Sequence, residues 1–366
     1  MFSKLREEAR KFDWLTFLFV IMLVGIGLTA IYSVELSREN PDFLNFKKQV
    51  LFTGVGIALA LIFSFYDYRR LRNYSLALTI IAVIFLVSVL FFGKTIRGHR
   101  GWFIFGAFGL QPVEFAKIAF ALALAKFFSE HDMQVEPVKN IFRSAFLTAL
   151  FSVPVLLQPD LGSLMILAGL WFFMLVISGL RKKYIFALLG IFAVLAVISW
   201  FFVLHDYQRA RVITFVNPAS DPLGAGYNIR QATIAIGSGG LWGRGIGFGS
   251  QSQLRFLPES HTDFIFAVIA EEMGFIIVAL LISFFVFFFY RSLKYMSWAR
   301  DNFTSLLLTG IVILFALQNF INIGMNLGFL PVAGVPLTFV SYGGSSLLAS
   351  FILAGILQSI NIRNKA

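Results

Sequence analysis

Hydrophobic and polar residues do not alternate along this chain; the apolar positions run in blocks of roughly 17 to 25, parted by short polar segments. Blocks of that length suit helices crossing a bilayer core of about 30 Å, whereas a membrane barrel needs alternating segments of about ten residues. The pattern predicts ten spans, at 14–34, 49–66, 74–92, 113–129, 144–158, 161–179, 184–204, 263–290, 303–325 and 340–360. The expectation is an all-α integral membrane protein, a single polytopic domain over residues 1–366, with a long loop at 205–262 between spans seven and eight. Spans five and six are short and parted only by "LLQPDLGS", which is also compatible with a re-entrant pair. No small-residue cleavage site follows the first apolar block, so it is expected to be a retained span and not a signal peptide.

Composition sharpens the class. At 58% hydrophobic and 17% aromatic, with 45 phenylalanines, the chain cannot be a water-soluble globule. The absence of cysteine removes disulfides, thiolate metal sites and cysteine nucleophiles, and leaves the redox compartment open. With the N-terminus inside, 18 of the 30 basic residues fall in cytoplasmic segments, among them Lys4, Arg6, Arg69, Arg181, Arg291 and Lys365. The positive-inside rule therefore predicts both termini in the cytoplasm and the 205–262 loop outside. Lys and Arg facing anionic lipid head groups account for the net charge of +11, so no nucleic acid is implied.

Charged side chains inside spans are expensive, about 2.5 to 3.5 kcal/mol each at a helix centre, and need a reason. Glu114 and Lys117 in "QPVEFAKIAF" stand three apart on one helix face, either as a structural ion pair or as the lining of a polar cavity. Asp160 follows Pro159, where helix geometry is interrupted, so it is a helix cap or a carboxylate facing a cavity. In "FLPESHTDFIFAVIAEE", Ser260 can serve as an N-cap that puts Asp263 at the third helical position, where a carboxylate favours the helix dipole. A cap alone does not ask for Glu259, four residues away and of like charge. Glu271 and Glu272 lie about 12 Å further along the helix and are expected to be polar contacts of the bundle interior.

The loop offers two further signals. Its glycine-rich part, Gly237 to Gly249, matches no phosphate-loop or dinucleotide fingerprint, so it is a tightly turning loop or a mobile gate. Arg209, Arg211, Arg244 and Arg255 make it basic, and guanidinium groups suit phosphate oxygens as well as lipid head groups. In "GVPLTFVSYGGSS", Ser341, Gly343 and Gly344 either pack helices closely or line a head-group cavity.

Taken together, "RGHRGWF", "QPVEFAK", "QPDLG", "DPLGAGYNIRQATIAIGSGG", "FLPESHTDFIFAVIAEE" and "GVPLTFVSYGGSS" resemble the SEDS family (shape, elongation, division and sporulation) over nearly the whole chain. "HDYQRARV" and "SQSQLRFLPESHTDFIFAV" are more similar to its rod-elongation members than to its division members. Val113 departs from the small polar residue expected before the motif glutamate.

The resemblance implies a ten-span peptidoglycan glycosyltransferase. Such an enzyme polymerises lipid II, the undecaprenyl-pyrophosphate-linked disaccharide peptide, on the outer face of the bacterial cytoplasmic membrane, beside a class B penicillin-binding protein. By that resemblance the essential carboxylate is Asp263, the functional outer-loop tryptophan is Trp102, the ion pair is Glu114 with Lys117, and the cavity carboxylate is Asp160. Asp263 would deprotonate the acceptor 4-hydroxyl or position a divalent cation, Mg²⁺ or Mn²⁺, that does so. Arg209, Arg211, Lys117 or such an ion would meet the charge of the leaving pyrophosphate. Two other functions stand beside it: a lipid II flippase, which ten spans with interior charges near the midplane would suit, and a non-catalytic scaffold for a penicillin-binding protein, which would need the spans but not the interior carboxylates.

Overall fold

Each of the ten apolar blocks folds as a helix, and acidic residues start several of them. The computed structural model describes residues 8–37, 41–96, 99–106, 108–202, 204, 206–217 and 225–364. Lys4, Arg6, Arg97, Gly98, Asp221 to Gly224 and Lys365, which the sequence motifs and charge pattern include, lie outside the described residues. The long helices are α1 (Trp14–Leu36), α2 (Leu44–Phe65), α3 (Tyr68–Phe92), α4 (Pro112–Glu130), α5 (Pro137–Leu157), α6 (Leu161–Ile177) and α7 (Lys182–Phe202). The loop between spans seven and eight adds α8 (Asp206–Val216), α9 (Ala225–Ser238) and the short α10 (Ser250–Gln253); α11 (Ile265–Lys294), α12 (Asn302–Asn326) and α13 (Gly344–Asn364) complete the bundle. Asp13, Asp67, Asp160 and Asp301 cap α1, α3, α6 and α12 by accepting from the first-turn amides of Thr16, Arg69, Ser163 and Thr304. Proline at the first position opens α4 and α5.

Among the described residues, eight helices are long and apolar enough to cross a membrane. The other two of the ten are α4, whose 19 residues include Glu114, Lys117, Lys126 and Glu130, and α6, which has 17 residues. α5, at 21 residues, is long and apolar enough to cross, unlike the short hairpin arm that a re-entrant pair would require. α13 and α12 form the centre, with 89% and 67% of their apolar windows buried, while α7 is 6% buried and lies at the periphery.

Between α3 and α4 the chain makes three antiparallel strands, β1 (Lys94–Ile96), β2 (His99–Phe105) and β3 (Phe108–Leu110), in the order β1-β2-β3. At the opposite end of the bundle the segment before α1 meets the last turns of α13. The Asp13 amide donates to Gln358 Oε1 at 3.0 Å, Gln358 Nε2 returns a bond to the Asp13 carbonyl, and Asn361 Nδ2 donates to the Lys11 carbonyl at 2.9 Å. Arg291 and Tyr295, at the end of α11, close on the Asp13 carboxylate at 2.6 and 2.7 Å.

α11 is not continuous. Gly274 sits at φ 77° and ψ 178°, a conformation confined to glycine, about 14 Å from the helix start. The break frees carbonyls and amides that hydrocarbon cannot satisfy. The glycine-rich turn satisfies them: Arg244 and Gly245 amides donate to the carbonyls of Glu271 and Glu272 at 3.0 and 2.9 Å, and the Phe275 and Ile276 amides donate to Gly240 and Leu241. The turn that the sequence left between a tight loop and a gate is thus a tight loop locked into the bundle. Buried Glu271 accepts from the Gln251 and Ser252 amides at 2.7 and 3.0 Å, and buried Glu272 accepts from Ser33, Ser252 and Gln253. Both carboxylates belong to the bundle interior, as expected.

Candidate active site

The end of the bundle away from the chain termini holds a cavity of about 550 Å³. Its wall combines His99, Trp102 and Ile104 from β2, Gln111 ahead of α4, Pro159 and Asp160 ahead of α6, Arg211 of α8, Glu259 to Asp263 apart from Ser260, the 333–336 connector, and Tyr342 to Ser346 apart from Gly344. Residues at the starts of four long helices, α4, α6, α11 and α13, therefore converge on one space. Helix N-termini carry partial positive charge and unpaired amides, so this convergence favours an anionic ligand.

Asp263 does not occupy the third position of a helix capped by Ser260, as the sequence suggested. α11 starts at Ile265, and Asp263 lies in the turn before it, because Glu259 adopts a left-handed conformation (φ 51°) and its carbonyl receives the Thr262 and Phe264 amides instead. The Asp263 carbonyl is gripped from α12: Asn322 Nδ2 and Asn326 Nδ2 donate to it at 3.1 and 2.9 Å, and Asn326 Oδ1 accepts from the Ala267 amide at 3.2 Å. Asn322 also donates to the Val335 carbonyl at 2.7 Å, which ties the turn bearing Asp263 to the 333–336 connector beside it. Ser341 Oγ donates to the Thr262 carbonyl at 2.7 Å, and the Tyr342 amide to the His261 carbonyl at 2.8 Å.

Of the residues singled out by sequence, the cavity gathers Asp263, Trp102, Asp160, Arg211 and Gly343. Asp160 does both things proposed for it, capping α6 through Ser163 at 2.9 Å and lining the cavity. Ser341 lies behind the wall as a support, and Gly344 packs against Phe52. Arg209 lies outside the lining, donating to the Phe201 carbonyl at 3.1 Å. Glu114 and Lys117 make a buried 2.8 Å ion pair one turn inside Gln111, also outside the lining.

Sequence reasoning missed Asn322, Asn326, His99, His261 and Tyr342. The asparagine pair carried a signal: two amides four apart in the middle of "NFINIGMN" lie on one face of an apolar helix and need partners there. The cavity groups suit a divalent cation of the magnesium type, which takes one or two carboxylates and completes its shell with substrate phosphates and water. Glu259 and Asp263 supply two carboxylates on one wall, and among the described residues no group of three or more His, Asp or Glu is placed to hold a metal ion by itself.

Comparison with known proteins gives a consistent picture. The chain is 38% identical over 346 residues to the peptidoglycan glycosyltransferase MrdB of Escherichia coli, covering 94% of this chain and 93% of that protein. It is 36% identical to stage V sporulation protein E of Bacillus subtilis, covering 95% and 96% of the two chains. Among solved structures, a chain from a study of how a peptidoglycan synthase complex coordinates polymerization and crosslinking matches with a TM-score of 0.82 at 30% identity, covering 97% and 98%. The rod shape determining protein RodA of Thermus thermophilus matches with a TM-score of 0.72 at 28% identity, over 97% of this chain and 98% of that one. The family described as "Cell cycle protein", which groups FtsW, RodA and SpoVE, matches residues 13–366, and the chain belongs to that family.

Proposed function

We propose that this chain is a peptidoglycan glycosyltransferase that polymerises lipid II for cell-wall elongation. The observation that carries the proposal is the placement of Asp263 on the wall of a polar cavity on which the starts of four helices converge. The likeness to MrdB and RodA supports the elongation role. The positive-inside rule puts the chain ends in the cytoplasm and the cavity on the outer face of the bacterial membrane, where a lipid-linked sugar would present its head group.

In the proposed reaction the acceptor 4-hydroxyl attacks the anomeric carbon of the donor sugar, its proton passes to the Asp263 carboxylate, and the bond to the lipid pyrophosphate breaks. The electron pair leaves on the pyrophosphate oxygen, and a single in-line displacement inverts the anomeric centre, as it does for hydrolases. Arg211 and the helix N-termini stabilise the charge that develops on the leaving group. A divalent cation held by Asp263 and Glu259 would add positive charge at the same place. Trp102 offers its ring face to a sugar. A class B penicillin-binding protein is the proposed partner, supported by the likeness to a chain of a peptidoglycan synthase complex. The closed Glu114–Lys117 pair favours polymerisation over lipid II flipping, because it leaves those charges spent on each other.

Purified protein given lipid II, with and without Mg²⁺ or Mn²⁺ and with and without the partner, tests this directly. Wild type is expected to make glycan strands and Asp263→Asn none, although it inserts normally. Polymerisation by Asp263→Asn would remove the carboxylate from the mechanism, and no strands from wild type with its partner would favour transport.

A further inference from the structure

A second feature of the cavity wall lies opposite the role given to Asp263. His99 Nδ1 is 2.6 Å from the carbonyl of Gln158, and a carbonyl only accepts, so Nδ1 carries the hydrogen. Gln158 is itself buried and donates to the Leu86 carbonyl at 2.9 Å, which fixes the ring's direction. Nε2 is then the nitrogen that carries no hydrogen in the neutral ring. It is buried with no hydrogen-bond partner and stands 3.9 Å from Asp160 Oδ2, too far for a bond and close enough for strong charge interaction. Gly101 makes this placement possible, since a Cβ there would overlap the imidazole. Asp160 cannot turn away, because both its oxygens hold Ser163, at 2.9 Å through the amide and 2.7 Å through the hydroxyl.

The charges around this pair set a problem. The described lining carries three carboxylates, Asp160, Glu259 and Asp263, against one permanent cation, Arg211, with His261 and Tyr342 on the far wall. Arg100, next to His99 on β2, is spent on the Gly93 and Phe91 carbonyls at 3.1 and 2.9 Å. The excess of carboxylates works against the pull of the helix N-termini on phosphate oxygens, and neutralising one of them tips the balance toward binding. Imidazole is the side chain that changes charge near neutral pH.

We propose that His99 and Asp160 form a proton-carrying pair that gates the phosphate affinity of the cavity: one proton taken from solvent onto His99 Nε2 cancels the Asp160 charge, and the wall then accepts a lipid pyrophosphate. His99 acts here as a positioning residue through Asp160. The inference rests on the glycosyltransferase reading for the identity of the ligand.

The test measures the affinity of purified full-length protein for geranylgeranyl pyrophosphate in detergent, between pH 5.5 and 8.5, beside lipid II polymerisation by the same preparation. Wild type should lose affinity as pH rises, on the order of tenfold more steeply than Asp160→Asn, which has no charge to cancel. His99→Asn keeps an amide donor in the place of Nδ1, so the bond to Gln158 survives while Nε2 is lost. It should bind weakly at every pH, and adding Asp160→Asn to it should restore tight, pH-flat binding. A purely structural His99 would leave His99→Asn like wild type and show no such rescue, and either result overturns the proposal. If His99→Asn does not purify, equal pH slopes for wild type and Asp160→Asn are sufficient to overturn it. Failure of wild type to polymerise lipid II bears on the proposed function and is read separately from the binding curves.

Discussion

The backbone amide of Gly245 donates to the carbonyl of Glu272 at 2.9 Å, so a loop that the sequence places outside the bundle completes the hydrogen bonding of a helix broken inside it. The arrangement needs glycine on both sides. A Cβ on Gly274 would fall 2.6 Å from the Leu241 carbonyl oxygen and closer still to the Gly243 nitrogen, and one on Gly243 would overlap the Glu272 carbonyl. Gly274→Ala meets both this overlap and a forbidden backbone conformation. A loss of roughly 3 kcal/mol or more in stability is expected, read as a large drop in thermal midpoint and in yield of monodisperse protein. Alanine at Gly237, where a Cβ has open space around it, is the control and should behave as wild type.

Replacing Asp263 should separate chemistry from binding. If the carboxylate takes the acceptor proton, Asp263→Asn makes no detectable strands, a loss in kcat of at least about 10² to 10⁴, while lipid II still binds. A lowered affinity with an unchanged kcat would assign Asp263 to substrate binding alone.

Asn326 reaches the catalytic turn through the Asp263 carbonyl and the Ala267 amide. Asn326→Leu removes one of the two amide donors to that carbonyl and one of the two acceptors of the Ala267 amide, at a cost of about 0.5–1.5 kcal/mol per bond, and lets the turn shift. Polymerisation should fall through kcat by about tenfold with little change in lipid II affinity. Asn322→Leu should behave similarly, and the two together should lose more than the product of their separate effects, because each donor covers for the other on the same carbonyl.

At the other end of the bundle, burial of Asp13 opposes ionisation, but hydrogen bonds from Tyr295, Thr16 and Arg291 outweigh it and hold the carboxyl below its ordinary value of 3.8. A carboxylate depressed on folding contributes stability that is present above its unfolded pKa and lost as pH falls through the folded one. The contribution of Asp13 should thus be constant between pH 5 and 8 and disappear only in acid below about pH 4. Asp13→Asn should cost on the order of 2 kcal/mol at neutral pH, seen as a lower thermal midpoint, and the difference from wild type should shrink under strongly acidic conditions.

Much of the frame was legible in residues 14–364, because apolar block length is set by bilayer thickness and all ten blocks are helical. Asp160, Trp102 and Arg211 could be assigned to one site by motif alone, and the cavity does gather them with Asp263. Boundaries at the site were less legible. Asp263 looked like a residue of the helix because "SHTD" fits a capping sequence, but with Glu259 left-handed the helix starts at Ile265, two residues past Asp263, and local pattern does not report that choice. Gly274 gave no warning of a break, since glycine is common in membrane helices and its partner lies about 30 residues away in sequence. His99 was unreadable for the same reason. Its partners Gln158 and Asp160 are about 60 residues distant, and only the fold brings them to β2.

The reciprocal bonds between Asp13 and Gln358 make the polypeptide, in effect, a closed ring. The start of its first long helix is tied to the last turns of its final one, so the order in which the helices are synthesised is not built into that junction. A circular permutant with a short linker joining the ends, opened in the same-face connection at 299–301 between α11 and α12, should assemble the same cavity from the same residues. Because that connection is exposed and carries Arg300 and Asp301, the new ends would keep their charge next to the head groups.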